Sequence, residues 1–255
     1  MEDIEIEKGI FLTGEGLAVF KSIGVAVAAD LHIGFEEAMG QSLARIQTKR
    51  MLSKCISVLG RFGIKEIVLN GDLKYSFGKK SKSEWEEVKY FIRELSKKAK
   101  ILVVKGNHDF YIESMVKGLE MSIAEEFQIN NVLFTHGNID MEPSEANITV
   151  IGNDHPSIRF RDEAGAARKY PIFIYAKRKK VLVLPALNPW APGTDILSTR
   201  KGDFLSPILN KINMEEARVY PIESGQIYDF KNVKGIRAML GKPGENPRPA
   251  AEEKQ

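Results

Sequence analysis

Between Ser22 and Thr135 short β-branched and aliphatic runs alternate with longer amphipathic stretches, and this alternation limits the fold more than any other feature of the sequence. Val25 to Ala29 reads as a strand. Gln41 to Phe62 follows, with Leu43, Ile46, Met51, Leu52, Cys55, Ile56, Val58 and Leu59 at three- and four-residue intervals, the stripe of a helix with one buried face. Gly63 stands where a helix-ending glycine belongs. Ile67 to Asn70 is the next strand. Ser83 to Lys98 is the next helix, opened by a Ser83-x-x-Glu86 capping box, with Trp85, Val88, Ile92 and Leu95 on one side. Ile101 to Lys105 is the third strand. That order predicts parallel pairing through right-handed crossovers.

After about residue 130 the helical pattern nearly vanishes. Val132 to Thr135, Ile148 to Ile151, Ile172 to Ala176, Lys180 to Leu184, Ala217 to Ile222 and Gln226 to Phe230 read as strands of a second, largely antiparallel sheet, with Lys177-Arg178-Lys179-Lys180 as a hairpin turn. The fold class is therefore α/β, two facing mixed sheets flanked by helices in an α/β/β/α sandwich. No linker divides the middle, so residues 1–240 form one domain. The last stretch, 241–255, mixes proline, glycine and scattered charge with no apolar period and reads as a disordered tail.

Composition narrows the partners. Net charge is +3, too small to argue for nucleic acid by bulk electrostatics. The single cysteine, Cys55, excludes an intramolecular disulfide and a thiolate metal site, and its place on the helix stripe reads as a buried apolar side chain. The acidic start lacks the pattern of an export signal, and no apolar run approaches the ~20 residues of a membrane helix. A soluble cytoplasmic protein is expected, and any homo-oligomer is not derivable.

Histidine is scarce, four in 255 residues, and each lies at the carboxyl end of a predicted strand. GVAVAADLHIG ends with Asp30 and His32; EIVLNGD with Asp72; ILVVKGNHD with Asn107, His108 and Asp109; NVLFTHG with His136; ITVIGNDH with Asn153 and His155. In open α/β sheets ligands bind outside those ends. Carboxylates, amides and imidazoles without a competing thiolate suit a pair of divalent ions, Mn first among Mn, Fe, Zn, Ni and Co. Asp30 and His32, two apart in extended chain, would share a face and grip one ion. Asp72, alone after its strand, is placed to bridge two. Such a pair activates a bridging water and clamps the attacking and leaving oxygens of in-line displacement at phosphorus.

DLHIG, GDL, GNHD, the isolated THG and the final G-x-x-H-P resemble the five signature motifs of the calcineurin-like metallophosphoesterase superfamily, across residues 25–156. The GDLKYSFG segment, LPALNPWAPGTDI at 184–196 and the length resemble more closely the archaeal phosphoesterase family related to double-strand-break repair nucleases, with bacterial relatives encoded beside DNA ligase genes. The resemblance implies that Asp30, His32, Asp72 and His155 hold the first metal and that Asp72, Asn107, His136 and Asn153 hold the second. His108 would face the scissile phosphate and protonate the leaving oxygen, with Asp109 as its partner or that of a neighbouring ligand.

One position departs from the family. Its last motif is Gly-His-x-His, and here the second residue is Asn153, with Asp154 adjacent. An amide oxygen is the weaker ligand, so the second site is expected to bind less tightly and to fill with substrate or at high metal. Two functions follow. One is a two-metal phosphodiesterase acting on nucleotides or nucleic acid through a metal-bridging hydroxide; the other is a catalytically weakened metal-binding scaffold or interaction subunit of the same fold. Lys74, Lys79, Lys80 and Lys82 follow Asp72 closely, and Lys74 is taken as a substrate-phosphate contact. The Lys177–Lys180 run reads as a solvated turn, Trp190 as a packed loop anchor, and the glycines of GNHD and GDL as turn residues.

Overall fold

The computed structural model describes residues 3–40, 45–77, 81–143, 147–161 and 166–240. The expected tail, the first turn of the helix at 41–44, and Lys79 and Lys80 lie outside the described residues.

The first sheet has seven strands in chain order: β1 (Ile4–Glu7), β2 (Ile10–Leu12), β3 (Ala18–Phe20), β4 (Val25–Ala28), β5 (Glu66–Asn70), β6 (Lys100–Val104) and β7 (Ser122–Ala124). The first three form antiparallel hairpins, and β4 to β7 pair in parallel. Short α1 (Phe35–Ala38) and long α2 (Ile46–Phe62) cross from β4 to β5, α3 (Lys82–Ser96) from β5 to β6, and α4 (Ile112–Met115) from β6 to β7. Right-handed crossovers between successive neighbours all fall on one side, so one face of this sheet is covered by helices and the other stays free to meet a second sheet.

The second sheet has nine strands: β8 (Glu126–Ile129), β9 (Val132–Thr135), β10 (Ile148–Ile151), β11 (Ser157–Arg161), β12 (Ala167–Ala176), β13 (Val181–Val183), β14 (Arg218–Glu223), β15 (Gln226–Ile227) and β16 (Phe230–Asn232). It is mixed. Its centre, β9-β10-β13, is parallel, and its flanks are antiparallel. Most of its pairs are antiparallel, as expected of a largely antiparallel sheet, and the parallel centre matters: β9 and β10 deliver their carboxyl ends to the same rim as β4, β5 and β6.

Alternation assigns the layers. Ala26, Ala28, Ile67, Leu69, Ile101 and Val103 face the helices, while Val25, Val27, Val68, Leu102 and Val104 face the second sheet. On that sheet Phe134, Val150, Phe173, Tyr175, Leu182 and Tyr220 point inward. Ile151, Ile172, Ile174, Val181 and Val219 point outward, under Phe204, Ile208, Leu209 and the short helix α5 (Val233–Met239). Strands buried on both faces read as continuous apolar runs, which is why they were visible in the sequence. Among the described residues the outer layer over the second sheet is built of short helical pieces, the 3-10 turns at Pro207–Lys211 and Met214–Glu216 and the helix α5, joined by irregular chain.

Two local features define what borders the rim and what does not. α3 starts earlier than expected, with Ser81 as its cap, its side chain accepting from Glu84 N (3.3 Å). Glu84 does not return to the cap; its carboxylate accepts from Tyr75 N (3.1 Å) and Ser76 N (2.8 Å), holding the loop that follows Asp72. The Lys177–Lys179 turn joins β12 to β13 as expected, but β13 runs from that turn toward Ala186, which bridges to Ala29 at the rim. The basic turn therefore lies at the end of the sheet away from the histidines. Cys55 is buried on the α2 stripe.

Candidate metal centre

The loops after β4, β5, β6, β9 and β10 meet at one rim. Asp30, His32, Asp72 and His155 each offer one ligand atom within 4.8 Å of the others. His32 Nε2 lies 3.1 Å from His155 Nε2 and 3.7 Å from Asp72 Oδ2, and His155 Nε2 lies 3.4 Å from Asp30 Oδ1. A second set adjoins it through Asp72: His136 Nε2 is 3.5 Å from Asp72 Oδ2 and 3.1 Å from Asn107 Oδ1. Two atoms each about 2.0–2.1 Å from one ion stand roughly 2.9 Å apart at a right angle and about 3.4 Å at the tetrahedral angle. Both sets contain pairs in or near that span, so the donor chemistry and spacing fit divalent ions.

Asp30 and His32 do not share a face of extended chain. They sit at φ 55° and 41°, and Asp72, Asn153 and His155 are left-handed too, at 48°, 65° and 43°. The chain turns at each of these five positions, which aims neighbouring side chains inward within two residues. Asn, Asp and His are the side chains that tolerate this region best.

Charge and burial fix the protonation. Burial pushes the His32 imidazole down to about 4 against the pull of Asp30, so it is neutral, as a metal ligand must be. At His136 burial also lowers the pKa, but the Asp72 hydrogen bond and the charges of Asp30 and Asp72 outweigh it and lift it to about 9. Without a metal this pocket holds a proton to offset its carboxylates; a divalent ion offsets them better.

Supporting groups set the ring orientations. His155 Nδ1–H donates to the Pro192 carbonyl (2.8 Å), turning the Nε2 lone pair into the site. Asn188 is buried and braces the DLH turn, its Nδ2 donating to His32 O (3.3 Å) and its Oδ1 accepting from half-buried Trp190 N (3.0 Å). Asn70 Nδ2 donates to Thr135 O (2.9 Å) and ties β5 to β9 across the sheets. None of these was read as functional from the sequence; the LPALNPW segment carried the only signal.

His108 stands apart from the metal sets. Its Nδ1 meets the Tyr75 carbonyl, its Nε2 lies 3.8 Å from Asp72 Oδ2, and the Phe77 ring covers it at 3.6 Å between centroids. Asp109 is not its partner. That carboxylate is buried and accepts from Gly106 N (2.9 Å), Leu73 N (3.0 Å) and Lys74 N (3.3 Å), clamping the GNHD loop to the GDL loop. Lys74 is 4% exposed, with its ammonium on the Ser76 and His108 carbonyls, so it supports the His108 loop instead of facing substrate. Asp154 likewise turns away, accepting from Leu205 N (3.0 Å) and Ser206 N (2.9 Å). Asn153 donates its N–H to Asp30 Oδ2 (3.1 Å) and its Nδ2 to Ser206 Oγ (3.1 Å).

Gly106 is needed for space, not for a turn. A Cβ there would lie 2.2 Å from Asp72 Oδ1 and 2.4 Å from Asp72 N. The backbone cannot yield cheaply, so Gly106→Ala is expected to cost at least the roughly 1–3 kcal/mol of an overpacked core and to displace the shared carboxylate. Thermal unfolding with and without Mn checks both: Tm falls, and its rise on adding metal is lost.

Residues 23–123 match the family model of calcineurin-like phosphoesterases. The crystal structure of Pseudomonas putida nuclease MPE is similar in fold, with TM-score 0.63, 16% identity, and 90% of this chain and 99% of that one covered. Yfce, a phosphoesterase from E. coli, aligns at TM-score 0.37 and 15% identity over 66% of this chain and 84% of its own. No curated protein matches the sequence. The fold is the metallophosphoesterase α/β sandwich, and the family match with the four-ligand cluster supports a metal-dependent hydrolase. Among the described residues no helix is long and apolar enough to cross a membrane.

Proposed function

We propose that the chain is a two-metal phosphodiesterase, a single cytoplasmic domain over residues 1–240, acting on nucleic acid or nucleotides with Mn as the preferred ion. The observation that supports it best is the pair of ligand sets sharing Asp72, with His108 Nε2 beside the shared carboxylate. Asp30, His32, Asp72 and His155 would hold one ion, and Asp72, Asn107, His136 and Asn153 the other. When bound, the ions supply Lewis acidity toward the phosphoryl oxygens and draw a nucleophile from water. The chain's own residues do the rest. Tyr75 O keeps Nδ1 of His108 occupied, so its Nε2 is the atom that stabilises the phosphate charge and delivers a proton to the leaving oxygen. Phe77 shields that ring from water. The resemblance of the GDLKYSFG and LPALNPWAPGTDI segments to the archaeal phosphoesterases related to repair nucleases supports this choice of substrate class.

Hydrolysis of bis-p-nitrophenyl phosphate by metal-stripped protein, supplemented in turn with Mn, Ni and Co, tests the reading; no turnover with any of them sinks it. Asn153 favours the weakened-scaffold alternative, and Asn153→His decides how much it matters. Histidine tolerates the φ of 65° there. The variant is expected to bind the second ion at least roughly tenfold more tightly by calorimetry, the scale on which one group near a metal changes its affinity. An unchanged isotherm means the amide already suffices.

A further inference from the structure

The β11–β12 hairpin begins two residues after His155 and carries cations that the metal centre does not use. In its register Arg159 faces Lys169 across the ladder, with Ser157 opposite Pro171 on the same face. Ile158, Phe160 and Tyr170 point to the other side, where Ile158 and Phe160 pack on the outer core. One face of the arm is therefore anchored by its apolar side chains, with Arg168 opposite Phe160 at its outer end, and the other presents Arg159 beside Lys169.

That cationic face adjoins the site. Lys169 Nζ donates to Ala191 O (2.7 Å), in the loop whose Pro192 carbonyl orients His155. A Cβ on Gly193 would meet His155 O at 2.4 Å and Lys169 Nζ at 2.7 Å, so the ammonium and the backbone of a candidate ligand both pack closely against this glycine. Among the described residues no carboxylate pairs with Arg159 or Lys169. Instead the Lys169 ammonium is partly desolvated against the loop and faces the Arg159 guanidinium, and both push its pKa below the ordinary lysine value. Two cations held together beside a metal centre without an acid between them are stabilised by an anion from outside.

We propose that Lys169 and Arg159 form a subsite for the phosphate next to the scissile one, so that the β11–β12 arm tracks the backbone of a nucleic-acid strand away from the metal centre. This rests on the phosphodiesterase reading for the position of the scissile group and deepens it. It selects a chain of phosphates over an isolated ester, because a small diester has no second phosphate to offer the pair. The basic turn at Lys177–Lys180 lies at the opposite end of β12 and cannot serve the same strand position.

The test uses full-length protein and a fluorescein-labelled hexathymidylate. With metal removed by chelator, anisotropy is expected to show Arg159→Gln and Lys169→Gln each binding the strand several-fold more weakly. Each lost phosphate contact lowers the slope of log K against log salt by about 0.7 for a single strand. With Mn present, the ratio of kcat/KM for the hexanucleotide to that for bis-p-nitrophenyl phosphate is expected to fall about tenfold in the double variant. Arg159→Gln binding like the parent, with Lys169→Gln slowing both substrates equally, would overturn the proposal and make Lys169 a brace for the Ala191–Gly193 loop. Displacement of the strand by ATP at equal concentration would also overturn it, assigning the cations to a polyphosphate. Variant-sensitive strand binding in a parent protein without diesterase turnover would support the subsite and remove the enzymatic reading.

Discussion

Asp72→Asn is expected to abolish metal-dependent diester hydrolysis, lowering kcat at least about 10³-fold, and to weaken both metal sites together. Asp72 Oδ2 lies 3.7 Å from His32 Nε2, 3.5 Å from His136 Nε2 and 3.8 Å from His108 Nε2, so one side chain borders each candidate ligand set and the proposed proton donor. Loss of a supporting partner costs roughly 10–100-fold in metal affinity; loss of a shared charged ligand should exceed that. The other oxygen accepts from His108 N (2.9 Å), and an amide can keep that bond, so the fold should survive. Calorimetric Mn titration beside the turnover assay checks this. If the variant binds two ions like the parent, Asp72 is not the bridge.

His108→Gln should separate chemistry from metal. Its Nε2 belongs to neither ligand set, and Gln retains the length to reach the Tyr75 carbonyl, so metal content should stay at the parent's value. The expected loss in kcat is about 10²–10⁴-fold, the usual worth of a positioned acid. The dependence on leaving group is more telling. A p-nitrophenolate leaves with little help from a proton, whereas a nucleoside alkoxide needs one, so the loss should be much larger for a dinucleotide than for bis-p-nitrophenyl phosphate. Equal losses for the two would mean that His108 stabilises phosphate charge without donating a proton.

How far the sequence foresaw this site depends on the range of each interaction. The strand ends were legible because apolar runs are local and the chemistry follows them directly: Val25–Ala28 runs into Asp30, Glu66–Asn70 into Asp72 and Ile148–Ile151 into Asn153. The supports were not. His155 is oriented by the Pro192 carbonyl and His108 by that of Tyr75, and a backbone carbonyl has no sequence signature. Asp109 and Lys74 carried the right charge for catalysis, but the crossing of two loops consumes both in backbone hydrogen bonds. The α3 cap shifted because Glu84, the third residue of its helix, is drawn to the Asp72 loop by the N–H of Ser76 and by that of Tyr75, which it shares with the Ile33 carbonyl. Such competition between a local motif and a distant donor is invisible until the loops meet.

The left-handed backbone at Asp30, His32, Asp72, Asn153 and His155 has a thermodynamic consequence for ion capture. A non-glycine residue held there costs on the order of 1–3 kcal/mol, somewhat less for these side-chain types, and that cost is met when the sandwich folds, before any ion arrives. Ion binding would then require little rearrangement, which favours fast loading and lets the fixed geometry act with the donor set in selecting the ion. The same tension is released if a turn relaxes, so a chain freed from holding metal would gain stability by letting these positions go.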